Sequence, residues 1–136
     1  MAIPASLYHD LRRNGVSYDL IPHSKASSSR MTARATHLPE ASVAKAVGIK
    51  RKKAFVLAVI PAAREVALRG LRRLLADPVC LATEEELQGL FVDCEVGAIP
   101  PLGQPYGIRT IVDRQLLDQN EIYFEGGDHR TVVDLK

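Results

Sequence analysis

Residues 53–61, Lys-Ala-Phe-Val-Leu-Ala-Val-Ile-Pro, are nearly all apolar and rich in β-branched side chains. A run of this length and composition predicts a strand buried on both faces, which needs partner strands at its edges and cover above and below. It follows a second β-branched run, 42–50, across the basic tetrad Lys50-Arg51-Lys52-Lys53, and two such runs joined by a short polar tip predict a hairpin. The rest of the chain has to supply the remaining strands and the cover.

The flanking segments fit that demand. Residues 4–14 predict a short helix with Leu7 and Leu11 four apart, stopped by Asn14-Gly15. Residues 16–23 alternate as a strand, with Pro22 marking its end or a sheet edge. Residues 27–38 open on serine N-cap candidates and carry Met31, Ala35 and Leu38 on one helical face. In 67–76, Leu68, Leu71, Leu74 and Leu75 fall at helical spacing with the arginines outward. A short strand is expected at 78–82, and Thr83-Glu84-Glu85-Glu86 is a capping box opening a helix to about Leu90. A strand at 107–113, a turn or short helix at 114–120 and a hairpin across Gly126-Gly127 complete the layout. Strands outnumber helices, and hairpins outnumber β-α-β crossovers. The expectation is an α/β (α+β) fold, one domain over residues 1–136, with a mixed, strongly curved or barrel-like sheet surrounded by helices.

A chain of 136 residues can bury such a core without staples. Cys80 and Cys94 therefore read as reduced thiols, and with no apolar leader or membrane-length run the expected location is the cytoplasm. The four histidines and two cysteines show no CxxC, HxxxH or HExxH spacing, so no metal is expected. Nor is there a GxGxxG, a GxxxxGK[ST] or a GxSxG, so no nucleotide cofactor and no serine elbow are expected.

The net charge of +2 conceals an uneven distribution. Residues 1–76 carry 14 Lys/Arg against 4 Asp/Glu, whereas 77–136 carry 4 against 12. A basic half of this kind points to a polyanionic partner, with Lys50, Arg51, Lys52, Lys53, Arg69, Arg72 and Arg73 as candidate phosphate contacts. A solvated charged face is the competing reading.

Two features break local rules. Lys45 interrupts the apolar alternation Val43-Ala44-Lys45-Ala46-Val47, sharing a face with Val43 and Val47. Either it lies at an edge and snorkels to solvent, or it stands at the mouth of a pocket awaiting an anion or carbonyl. The stretch Gly97-Ala98-Ile99-Pro100-Pro101-Leu102-Gly103 is poor helix and poor strand, and its prolines leave few backbone conformations to lose. It is either a stiff connector or a loop presenting backbone groups to a ligand.

The segments ASVAKAVGI, FVLAVIPAAREVALRGLRRLL, LATEEEL, VGAIPPLGQPYGIRTIVD and EIYFEGGDHR follow the order and spacing of the YbaK-type aminoacyl-tRNA deacylases. These are free-standing relatives of the editing insertion of bacterial prolyl-tRNA synthetase, and the resemblance runs from about Tyr18 to Leu135. It implies a trans-editing hydrolase acting on the acceptor end of mischarged tRNA, with an aminoacyl-tRNA synthetase as a further candidate partner. Lys45 matches the lysine on which deacylation depends, and Gly97 and Ala98 fall in the loop whose backbone lines the cleavage site. Ile99 and Pro100 of that loop, Asp113, His129, and His23, Ser28, Met31 and Thr32 of the 23–37 segment match pocket positions. An aminoacyl ester is already activated, so oriented water with backbone stabilisation of the oxyanion suffices. The small and hydroxylated side chains of 23–37 favour serine, threonine or alanine as the amino acid. Cys94, between Asp93 and Glu95, reads as structural, since neighbouring acids oppose a thiolate. A non-catalytic RNA-end binding module and a synthetase-docking protein are the alternatives.

Overall fold

The structure, a computed structural model, describes residues 3–23, 31, 33, 36, 38–52, 54–95, 98–128 and 130–135. The apolar run becomes β3 (Ala54–Pro61), paired antiparallel with β2 (Ala44–Arg51) from Ala44 opposite Pro61 to Arg51 opposite Ala54. The tip has two residues, and Lys52 takes a φ of 51°, the left-handed region that a tight hairpin imposes. On its other edge β3 pairs in parallel with β5 (Arg109–Val112). With the short β4 (Cys80–Leu81) this gives a mixed sheet in the order β4-β2-β3-β5.

Burial on both faces of β3 follows from its period of two. Leu57 and Val59 join Ala44 in the main core, with Leu7 and Leu11 of α1 (Ala5–Arg13), Phe91, Leu116, Phe124 and Val133. Val56 and Ala58 face the other way with Ile49, against Leu71 and Leu75 of α2 (Leu68–Leu75). Leu74 does not join that face: it is 65 % exposed, because 71 and 75 lie four apart on one stripe and 74 is rotated off it. Ala76 ends α2 in a left-handed conformation, with φ 54°.

β1 (Tyr18–Pro22), β7 (Thr131–Leu135) and β6 (Ile122–Glu125) form a second, antiparallel sheet in the order β1-β7-β6. Pro22 lies in its edge strand, where a missing N–H is tolerated. The β6–β7 hairpin turns across Gly126-Gly127, and Gly127 has a φ of 101°. Two short helices complete the covering layer. α3 (Glu84–Leu90) opens on the capping box, Thr83 Oγ1 accepting the Glu86 N–H at 3.1 Å and Glu86 Oε1 accepting the Thr83 N–H at 2.9 Å. α4 (Arg114–Leu117) is capped by Asp113. Of the helix expected at 27–38, Met31, Ala33 and Thr36 have helical geometry, and Ala33 is buried beside Val43 and Ala62. The fold is thus a mixed α+β arrangement of two sheets with helices outside, not a closed barrel.

Candidate active site

Two strands meet the same edge of β2 at different points. β6 touches it through a parallel bridge between Tyr123 and Val43, and β4 pairs with Ile49 and Lys50. Between them, residues 44–48 have no strand on that side among the described residues. The Val43 carbonyl accepts the Ala62 N–H at 2.8 Å, so the odd-numbered residues of β2 bond to β3. The N–H and C=O of Ala46 consequently point into the gap. Gly48 keeps the alternation, its carbonyl accepting the Ala82 N–H at 2.9 Å.

A cavity of about 230 Å³ fills this gap. Its floor is the 44–48 stretch of β2, one side is formed by Leu81, Ala82, Glu84 and Leu87, and the other by Ile99 and Glu125. Lys45, half-buried, lines it. Lys45 thus stands on the stretch of strand edge that borders the cavity. Among the described residues Lys45 makes no salt bridge.

Glu125 is the pocket residue that sequence reasoning missed. It follows the buried Phe124 and precedes a Gly-Gly turn, where an acid reads as a solvated flank. In the structure it is 6 % exposed, and its Oε1 lies 3.1 Å from His23 Nε2, a side chain that is itself 1 % exposed. His23, expected to touch substrate, instead sits behind Glu125 and is absent from the cavity lining; its N–H donates to the Arg130 carbonyl at 2.8 Å. The pair joins residues 102 positions apart, which no local pattern reveals.

The stiff loop is seated in the core. Pro100 and Pro101 are buried, and Ile99 and Leu102 pack against the main cluster. Ala98 is fully buried and its N–H donates to the Glu95 carbonyl at 3.1 Å, so that donor is engaged within the loop rather than aimed at a ligand. The loop reaches the cavity through Ile99. Gly97, Ser28, Thr32, His129 and Lys53 lie outside the described residues.

Other expected site residues are placed elsewhere. Asp113 Oδ1 accepts the Gln115 N–H at 2.8 Å as a helix cap, and it lines a separate apolar cavity between α2, β3 and β5. A cap was the simpler use of an aspartate just before Arg114. Met31 is 47 % exposed and does not line the Lys45 cavity, and Pro100 is buried behind Ile99. The hairpin-tip cations are largely engaged by acids. Lys50 Nζ lies 2.7 Å from Glu86 Oε2, and that hydrogen bond holds the lysine above and the carboxyl below their usual ranges. Arg51 Nε donates to Asp77 at 2.8 Å, with Lys52 3.8 Å from the same carboxylate. Arg69, Arg72 and Arg73 are exposed on α2.

Cys94 is a half-buried free thiol. Burial pushes its thiol up to about 11, helped by the neighbouring Asp93, and its Sγ lies 3.3 Å from the Tyr106 hydroxyl. That hydroxyl donates to Asp93 at 2.7 Å, while Asp93 also accepts the Ser6 N–H at 3.2 Å. The group ties α1 to the turn before the stiff loop. Among the described residues, no three His, Cys, Asp or Glu side chains are placed to hold a metal ion, and no helix is long and apolar enough to cross a membrane.

A small cleft on a split strand edge, carrying one lysine and one buried acid in a mixed α+β domain, defines a candidate small-ligand site. The model of the aminoacyl-tRNA editing domain matches residues 23–136, and the chain belongs to that family. The fold is shared with the crystal structure of hypothetical protein APE2540, at a TM-score of 0.85 and 22% identity over 95% of this chain and 87% of that one. It is shared too with a structure described as a "putative trans-editing enzyme for prolyl tRNA synthetase", at a TM-score of 0.82 and 21% identity over 95% and 83% of the two chains. No curated protein sequence matches this one.

Proposed function

We propose that this chain acts as a single editing domain over residues 1–136 and hydrolyses the ester of mischarged aminoacyl-tRNA in trans. The observation that carries the reading is the cavity on the open edge of β2, lined by Lys45 and Glu125, in a chain of the editing-domain family. Its volume suits a small aminoacyl group, and Ala44, Ala46 and Gly48 on its floor leave room for one, in keeping with serine, threonine or alanine.

The reaction needs little from the protein beyond placement. Water adds to the acyl carbon, the bond from that carbon to the ribose oxygen breaks, and the ribose oxygen leaves with a proton as the free amino acid departs. Lys45 holds the acceptor end through a phosphate or carbonyl oxygen. The Ala46 N–H, turned into the gap, donates to the developing oxyanion, since the Ala98 N–H is bonded to the Glu95 carbonyl. Exposed Arg69, Arg72 and Arg73 supply contacts to the tRNA backbone, and the cytoplasm is where such a substrate is met.

The test is a panel of aminoacyl-tRNAs incubated with the purified protein, scored for ester loss above the uncatalysed rate. Turnover of seryl-, threonyl- or alanyl-tRNA, with bulky aromatic esters spared, supports the reading. Binding of tRNA with no turnover across the panel replaces it with a non-catalytic module.

A further inference from the structure

We propose that Glu125, held from behind by His23, receives the protonated α-amino group of the aminoacyl moiety, so that the site hydrolyses esters with a free α-amino group and rejects those whose amine is blocked or missing. This rests on the deacylase reading and adds the chemical class of the acyl group.

The charge layout of the cavity carries the inference. Glu125 is nine-tenths buried yet lines the cavity, whereas Lys45, which also lines it, is only half-buried. An aminoacyl ester on the end of an RNA has the matching polarity, with a cation on the α-carbon and anions along the nucleotide backbone. Inserted acyl end first, it puts ammonium beside Glu125 and leaves phosphate near Lys45. His23 Nε2 lies 3.1 Å from Glu125 Oε1 on the protein side, and a ligand ammonium pairs with the same carboxylate from the cavity side.

The other acid of the cavity is a poorer choice. Glu84 is exposed in the first turn of α3, where the helix N-terminus already favours its charge and water screens it. The open edge of β2 reinforces the orientation. An α-aminoacyl unit carries a donor and an acceptor on adjacent carbons, the complement of the C=O and N–H that Ala46 turns into the gap. An N-acyl group removes the cation and sets a neutral amide against the buried carboxylate.

The decisive comparison uses the intact protein and one charged tRNA pool in three forms: alanyl-tRNA, N-acetyl-alanyl-tRNA and the lactyl-tRNA made from alanyl-tRNA by deamination. Lactyl-tRNA has nearly the same size and no cation. Each rate is divided by that ester's uncatalysed rate, because the α-ammonium also activates the ester itself. The wild type should favour alanyl-tRNA over both others by at least about tenfold, the scale of one charge-assisted hydrogen bond. Glu125→Gln should lower kcat/KM for alanyl-tRNA and leave lactyl-tRNA nearly unchanged, collapsing the preference. His23→Gln, acting through Glu125, should raise KM for alanyl-tRNA more than it lowers kcat. Equal normalised rates for the three esters in the wild type would overturn the inference while leaving the deacylase reading intact, and this needs no variant to fold. A Glu125→Gln protein that melts normally and keeps the full preference would also overturn it. If no ester is cleaved above background, the deacylase reading fails and takes this inference with it.

Discussion

Leu87 of α3 lies directly over Gly48 of β2, so close that a β-carbon on residue 48 would run into the leucine Cδ2. Both residues line the Lys45 cavity, and their apposition sets how near α3 approaches its floor. Gly48→Ala should therefore push the Leu87 side chain aside and cost about 1 kcal/mol, the low end for overpacking, because the leucine tip borders open cavity. Urea unfolding measures it. Pairing it with Leu87→Ala should recover part of the loss, and strict additivity of the two single changes would show that the residues do not oppose each other.

Alkaline pH should destabilise the fold through Cys94. Its thiol is raised by burial from an ordinary 9.0 to about 11, so between these values the unfolded chain gives up the proton and the folded chain keeps it. The unfolded state then binds fewer protons, and stability, complete below pH 9, falls as pH rises toward 11. Tyr106, raised by burial and by Cys94 and Asp93, pushes the same way. Cys94→Ser should flatten the decline in melting temperature between pH 9 and 11. At pH 7.5 a thiol reagent should modify exposed Cys80 first, and Cys94→Ser should keep its deacylation rate.

The basic surface should divide into two classes. Lys50 and Arg51 are already held by Glu86 and Asp77, whereas Arg69 and Arg73 stand exposed on α2. Charge reversal at Arg69 and Arg73 should raise KM for charged tRNA more than it lowers kcat, and reduce the slope of log K against log salt by about 0.7–0.9 for each phosphate no longer neutralised. Neutralising Lys50 should do much less. A salt slope unchanged by the α2 reversals would remove that helix from the interface.

What the sequence revealed, and what it hid, divides along local and non-local lines. The β2–β3 hairpin, the capping box at Thr83 and the Gly126-Gly127 hairpin were legible because each depends on patterning within about ten residues. Lys45 was legible as an exception to its own strand's alternation. The gap it lines was not, because that gap exists only where β6 and β4 reach β2 from distant parts of the chain. For the same reason nothing in the sequence singled out Glu125, and His23 looked like a pocket residue. Asp113, expected in the pocket from a family likeness, caps a helix and lines a separate cavity. In the 97–103 loop, expected to be stiff, both prolines are buried in the core, and Ile99 alone of its described residues lines the cavity.

Lys45 tests the account most directly, through single-turnover deacylation of seryl-, threonyl- and alanyl-tRNA by wild type, Lys45→Ala and Lys45→Arg, with thermal melts alongside. The half-buried side chain has no ion pair among the described residues, so Lys45→Ala should change stability by less than about 0.5 kcal/mol. Removing the ammonium of this cavity-lining residue should slow ester cleavage by roughly 10²-fold, the scale of one preorganised electrostatic interaction, with Lys45→Arg restoring only part because its guanidinium is longer and planar. A folded Lys45→Ala protein that cleaves all three esters as fast as the wild type would contradict the account.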